Sequence, residues 1–107
     1  PSLELLEVTL EIIEIVKPRY WIIENVVGAI KYFKPKLGIP RQIIGAYVLW
    51  GNYPEILVRG ETIPTKSKKD KRHSKLRANH RAKIPIQLSH GLLVGILEQT
   101  NFSDYWL

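Results

Sequence analysis

The residues of this 107-residue chain whose types and spacing suit chemistry lie between Lys17 and Gly28, in the run Lys-Pro-Arg-Tyr-Trp-Ile-Ile-Glu-Asn-Val-Val-Gly. Tyr20 to Ile23, with Val26 and Val27 beyond the polar pair Glu24-Asn25, are strand-favouring residues and predict a short, fully buried strand. A carboxylate at the end of such a strand is costly unless it has a partner or a task. Ligands of open α/β sheets bind at the C-terminal ends of parallel strands, which makes Glu24 a candidate site residue. A Glu-Asn pair also suits the N-terminus of a following helix. The pattern leaves both roles open.

A second kind of chemistry is electrostatic. The chain carries a net charge of +6, yet residues 1–58 are neutral, and residues 59–83 hold ten basic and two acidic side chains. From Gly60 to Lys83 the apolar pattern vanishes, and Lys66 to Lys75 has too little apolar surface to fold alone, so an exposed, mobile loop is expected. Lys66, Lys68, Lys69, Lys71, Arg72, Lys75, Arg77 and Arg81 are its candidate phosphate contacts, with binding driven by counterion release. A loop that merely keeps the surface soluble has the same composition.

Other chemistries find no support. Cysteine is absent, which removes disulfides, thiolate metal sites and a cysteine nucleophile. His73, His80 and His90 are not at metal-ligand spacing, and Glu4, Glu7, Glu11 and Glu14 repeat as the wet face of a helix. No Gly-rich phosphate loop and no Gly-x-Ser-x-Gly elbow occur.

The elements that must position these residues follow from periodicity. Leu3, Leu6, Leu10, Ile13 and Val16 predict an amphipathic helix over Ser2–Val16, with Ser2 as N-cap and Lys17-Pro18 as its stop. The strand follows, and Ala29–Leu37 reads as a short helix or turn ended by Gly38 and Ile39-Pro40. Ala46–Trp50 reads as a strand, Gly51-Asn52 as a turn and Glu55–Arg59 as the returning strand of a hairpin. Ile84–Gln99 predicts a helix with Pro85 in its first turn, and Gly91 and Gly95 leave a smooth patch for close helix-sheet packing. Phe102–Leu107 is expected to fold back as an aromatic tail.

These elements make an α/β chain of one domain, below the usual size of a complete α/β enzyme domain. No apolar run reaches the roughly 18 residues of a membrane span, and the N-terminus has no secretory pattern, so a soluble, cytoplasmic protein is expected with no membrane partner. Methionine is also absent, so the chain is expected to be trimmed after its start or cut from something longer. The lack of Cys and Met beside abundant Ile and Lys suits a thermophilic prokaryote.

At Lys17–Gly28 the chain resembles the DNA cytosine-5 methyltransferases, in which a Pro-x-Tyr-x-x-x-Glu-Asn-Val-x-Gly pattern is common. Pro18, Tyr20, Glu24, Asn25, Val26 and Gly28 fit it. The Ser2–Val16 helix is similar to the segment that follows the family's Pro-Cys nucleophile loop, and Ile84-Pro85 with its helix to the family's final motif. Gly38 to Gln42, leading into Gly45 to Pro54, is similar to the hairpin region of phage-like and archaeal members.

The resemblance implies part of a Rossmann-like methyltransferase sheet, ordered as helix, strand, short helix, β-hairpin, basic loop and C-terminal helix. It implies that Glu24 contacts the ring nitrogen and exocyclic amine of a cytosine flipped out of double-stranded DNA, donating a proton to that nitrogen. Asn25 would orient the loop, Arg41 and Gln42 would support the pocket, and Lys83, Ile84 and Pro85 would touch S-adenosylmethionine. The family's Phe-x-Gly-x-Gly cofactor motif and Pro-Cys loop are absent, as is the Gly-Asn pair before the final proline. The expected protein is therefore the C-terminal half or subunit of such an enzyme, inactive alone. A complementary polypeptide with the cofactor motif and the Pro-Cys loop, or self-association, would complete it. The alternative is a non-catalytic DNA-binding module degenerated from such an enzyme.

Overall fold

The aromatic and aliphatic run Tyr47-Val48-Leu49-Trp50 forms the middle of a three-stranded sheet, with all four residues buried. Strand-forming side chains in unbroken succession fill both faces of a central strand, which has no wet side to alternate toward. The computed structural model describes residues 2–58 and 83–106, with side chains to residue 99. It divides into two units, Pro1–Tyr53 and Pro54–Leu107.

The first unit runs α1 (Glu4–Val16), β1 (Trp21–Asn25), a 3-10 turn at Val27–Ala29, α2 (Ile30–Leu37), β2 (Gln42–Ile44) and β3 (Tyr47–Asn52). The sheet order is β1-β3-β2, so the last strand inserts antiparallel between the first two. The fold is thus mixed α/β around a small antiparallel sheet. Since neither pairing is parallel, the rule for parallel strand ends that singled out Glu24 does not by itself mark a site there.

Helix α1 ends where proline requires. Lys17 turns into the left-handed region at φ 50° and donates its backbone N–H to Ile13 O at 2.8 Å. Leu3 occupies the capping position, and Ser2 acts one residue earlier, its Oγ accepting the Glu4 N–H at 3.3 Å. Of the five predicted core positions of α1 only Leu6 is buried, and Val16 is exposed. Gly38 ends α2 at φ 75°, and its carbonyl accepts the Trp50 indole N–H at 3.1 Å. Phe33 of α2 packs on the Trp50 ring with centroids 5.3 Å apart, which fixes α2 over β3.

Three expectations are corrected. β1 is not fully buried: its five residues are all half-buried, and among the described residues it is an edge strand paired with β3 alone. The hairpin lies earlier than expected. Its turn is Gly45-Ala46, with Gly45 at φ 59° as the two-residue connection from β2 to β3 requires, and residues 55–58 form no strand. Gly51 belongs to β3 itself. It sits at φ 142°, and a Cβ there would collide with the Trp21 carbonyl across the ladder, so glycine serves a close approach of two strands rather than a turn.

In the second unit α3 spans Ile86–Trp106. Pro85 precedes the helix, its carbonyl accepting the Leu88 N–H at 3.1 Å, and residues 102–106 continue the helix instead of folding back as a tail. The smooth patch has its occupant. The extended segment from Pro54 to Leu57 lies against Gly91 and Gly95, where a Cβ would come within 2.7 Å of Leu57 O and 2.5 Å of Glu55 O. The partner of the patch is therefore an irregular extended segment rather than a sheet. Among the described residues, no helix is long and apolar enough to cross a membrane.

Candidate functional site

Strand register decides which candidate residues meet. Glu24 is paired with Leu49, and Leu49 with Gln42, so Glu24, Leu49 and Gln42 form one row across the sheet on one face. The spacing of neighbouring strands puts Glu24 and Gln42 roughly 10 Å apart at Cα, with Leu49 between them. Tyr47, two residues before Leu49, shares that face and is the diagonal neighbour of Glu24. Asn25 faces the other way with Ile23 and Trp50.

Glu24 and Gln42 are half-buried, and Tyr47 is buried. Burial raises the Tyr47 phenol above its ordinary value of 10.0, and the Glu24 carboxylate raises it further. Both causes penalise the phenolate, so the hydroxyl keeps its proton at neutral pH and remains a donor. The row thus combines a carboxyl group, a neutral phenol and an amide, which together can donate and accept hydrogen bonds over a width suited to a planar polar ring.

The end of β1 also borders a cavity of about 470 Å³. Its walls are Leu3, Leu5, Leu6 and Thr9 around α1, Ile23, Glu24 and Asn25 of β1, and Tyr32 and Phe33 of α2. The volume falls in the range of small-molecule sites, and the lining is mostly apolar with a few polar groups at the strand end. Asn25 shapes this corner: its Oδ1 accepts the Val26 N–H at 2.8 Å where the chain leaves the strand.

Arg41 stands apart from this row. Its Nε–H donates to Tyr53 O at 2.9 Å, its guanidinium lies 5.2 Å from the centre of the Tyr53 ring, and its backbone N–H extends the ladder to Leu49 O at 2.8 Å. These bonds clasp the end of β3. Lys83 and Ile84 are exposed, and Pro85 is buried with its carbonyl engaged by Leu88. None of the three lines a hollow of about 380 Å³ between Pro54, Glu55, Leu57, Gly95, Glu98 and Gln99 in the same unit. The phosphate candidates Lys66, Lys68, Lys69, Lys71, Arg72, Lys75, Arg77 and Arg81 lie outside the described residues.

Tyr47 is the site residue that sequence reasoning missed. It reads as one more apolar strand residue, and only the antiparallel return of β3 beside β1 brings its hydroxyl-bearing ring to the face of Glu24. No family model matches the chain, and no curated protein or solved structure matches it either.

Proposed function

We propose that this chain is the C-terminal half, or the corresponding subunit, of an S-adenosylmethionine-dependent DNA cytosine-5 methyltransferase, in which Glu24 holds the flipped cytosine. The observation that carries the reading is the position of Glu24: half-buried, at the end of a strand, in the wall of a cavity large enough for a nucleobase. A base taken out of the duplex must be met by hydrogen bonds along its pairing edge and by apolar or aromatic surface on its faces. Ile23, Tyr32 and Phe33 offer the second, and Glu24 borders the same cavity at the strand end, with its side chain on the opposite face of the sheet from Ile23. Under this reading the antiparallel sheet is one end of a larger Rossmann-like sheet, and a complementary polypeptide brings the cofactor site and the cysteine nucleophile.

The test is reconstitution. The chain is mixed with a polypeptide bearing the Phe-x-Gly-x-Gly motif and the Pro-Cys loop, labelled S-adenosylmethionine and double-stranded DNA. Transfer of label to cytosine C5 is expected from the mixture, none from the chain alone, and a fall of at least a hundredfold with Glu24→Ala. Normal transfer by that variant rejects the reading.

The charge distribution favours a second reading, a non-catalytic DNA-binding module. Ten of the sixteen basic residues fall in residues 59–83. That reading expects salt-dependent binding to duplex DNA by the chain alone, unchanged by Glu24→Ala.

A further inference from the structure

Helix α1 is apolar over far more of its circumference than one sheet can cover. At about 100° per residue, its four glutamates occupy an arc of about 80°, and apolar side chains with Thr9 fill most of the rest. Half of that apolar arc is turned inward by Leu6, Leu10 and Ile13. The other half is bare: Leu5 is 79% exposed, Val8 48%, Ile12 54% and Ile15 80%. Their spacing of three, four and three residues makes one straight ridge, the pattern that packs against another helix.

The surroundings show where this ridge looks. Glu7 of α1 is bound by Lys36 of α2 at 3.0 Å, which places α2 along the acidic side of α1. The centre of the bare ridge lies about 120° around the helix from Glu7 and about 140° from buried Leu6, so Val8, Ile12 and Ile15 turn away from Lys36 and from the side that buries Leu6, while Leu5 at the N-terminal end also borders the cavity at β1. α1 and β1 share the walls of one cavity, to which α2 also contributes Tyr32 and Phe33. β1 is itself an edge of the sheet. The exposed ridge and the edge strand are each a surface that normally continues into another element.

We infer that the ridge Leu5, Val8, Ile12 and Ile15 is the docking surface for a separate polypeptide, which lays an amphipathic helix with Lys or Arg flanks along α1. The flanking charge follows from Glu4, beside Val8, and Glu11, beside Val8 and Ile15, along one border of the ridge, and from the absence of any basic residue in Glu4–Val16. A second copy in antiparallel contact would set these carboxylates against their own kind; a basic-flanked helix meets them with opposite charge. The inference rests on the two-part reading proposed above, and not on the chemistry of Glu24.

Two synthetic helical peptides test it, each with leucine at positions spaced three, four and three, one flanked by lysines and the other by glutamates. With the full chain at low salt, fluorescence anisotropy should show binding of the lysine peptide and at least tenfold weaker binding of its glutamate twin. The double variant Ile12→Glu, Ile15→Glu should bind the lysine peptide at least tenfold more weakly with its circular dichroism spectrum and Tm unchanged, since both side chains are already in water. No binding, equal binding of the two peptides, or equal binding to the double variant overturns the inference. So does a dimer in sedimentation equilibrium that the double variant dissolves, which would make a second copy the occupant. The peptides carry no catalytic group, so their failure rejects this surface and leaves the cytosine reading standing. Normal transfer by Glu24→Ala does the reverse.

Discussion

Strands β1 and β3 lie side by side and are built from similar residues, yet they do different work. β3 is paired on both sides and contributes Tyr47, Val48, Leu49 and Trp50 to the core. β1 is paired on one side, no residue of it is fully buried, and it carries the only charged side chain of the sheet's three strands, Glu24. A central strand has no room for a charge, because both faces and both edges are occupied and an ion there would lose its water. An edge strand beside a cavity keeps a carboxyl partly hydrated while holding its backbone in fixed register. The core and the charge are thereby assigned to neighbouring strands rather than mixed within one.

The contrast breaks if truncation costs the two strands alike. Trp50→Ala should have the largest effect, about 3–5 kcal/mol by chemical denaturation, since it removes a fully buried ring, its contact with Phe33 and its bond to Gly38. A cost under about 1 kcal/mol would mean that β3 is not the core. Gly51→Ala should come next, at about 2 kcal/mol or more, because the new methyl meets the Trp21 carbonyl and the backbone must leave φ 142°. Denaturation midpoints equal to those of the parent would show that the strands are not held so closely.

The smallest effect sharpens the link between the two strands. The folded protein holds the Tyr47 proton more tightly than the unfolded chain does, so the contribution of this group is complete below its ordinary value of 10.0. It is lost as pH rises toward and through the higher folded value. Stability measured from pH 8 to 11 should therefore fall at the alkaline end, and Tyr47→Phe should make that fall shallower. An identical alkaline profile for the variant would show that its burial does not hold the Tyr47 proton.

Much of this was legible in residue order. The glutamate repeat and Lys17-Pro18 bound α1, Gly38 ended α2, and the run to Trp50 marked a strand though not its central place, since each signal acts within a few residues. What escaped depended on residues distant in the chain. Gly51-Asn52 looks like a turn because glycine tolerates one, but its real cause is the Trp21 backbone across the ladder. The second apolar stripe of α1 was written in the same letters as the first, and periodicity does not say how many layers a helix touches. Glu24 stood out as a charge among strand formers, whereas Tyr47 did not, because its neighbour across the sheet is set by β3 returning between β1 and β2.

That return has a consequence for synthesis on the ribosome. β1 emerges first and β2 second, and the sheet makes them neighbours of β3 but not of each other. Neither can begin the native ladder until Tyr47–Asn52 has left the exit tunnel, which at common elongation rates of about 5–20 residues per second leaves β1 waiting for roughly one to five seconds. Throughout that interval Trp21, Ile22 and Ile23 travel with the nascent chain unzipped, the segment a chaperone would be most apt to shelter until the central strand arrives.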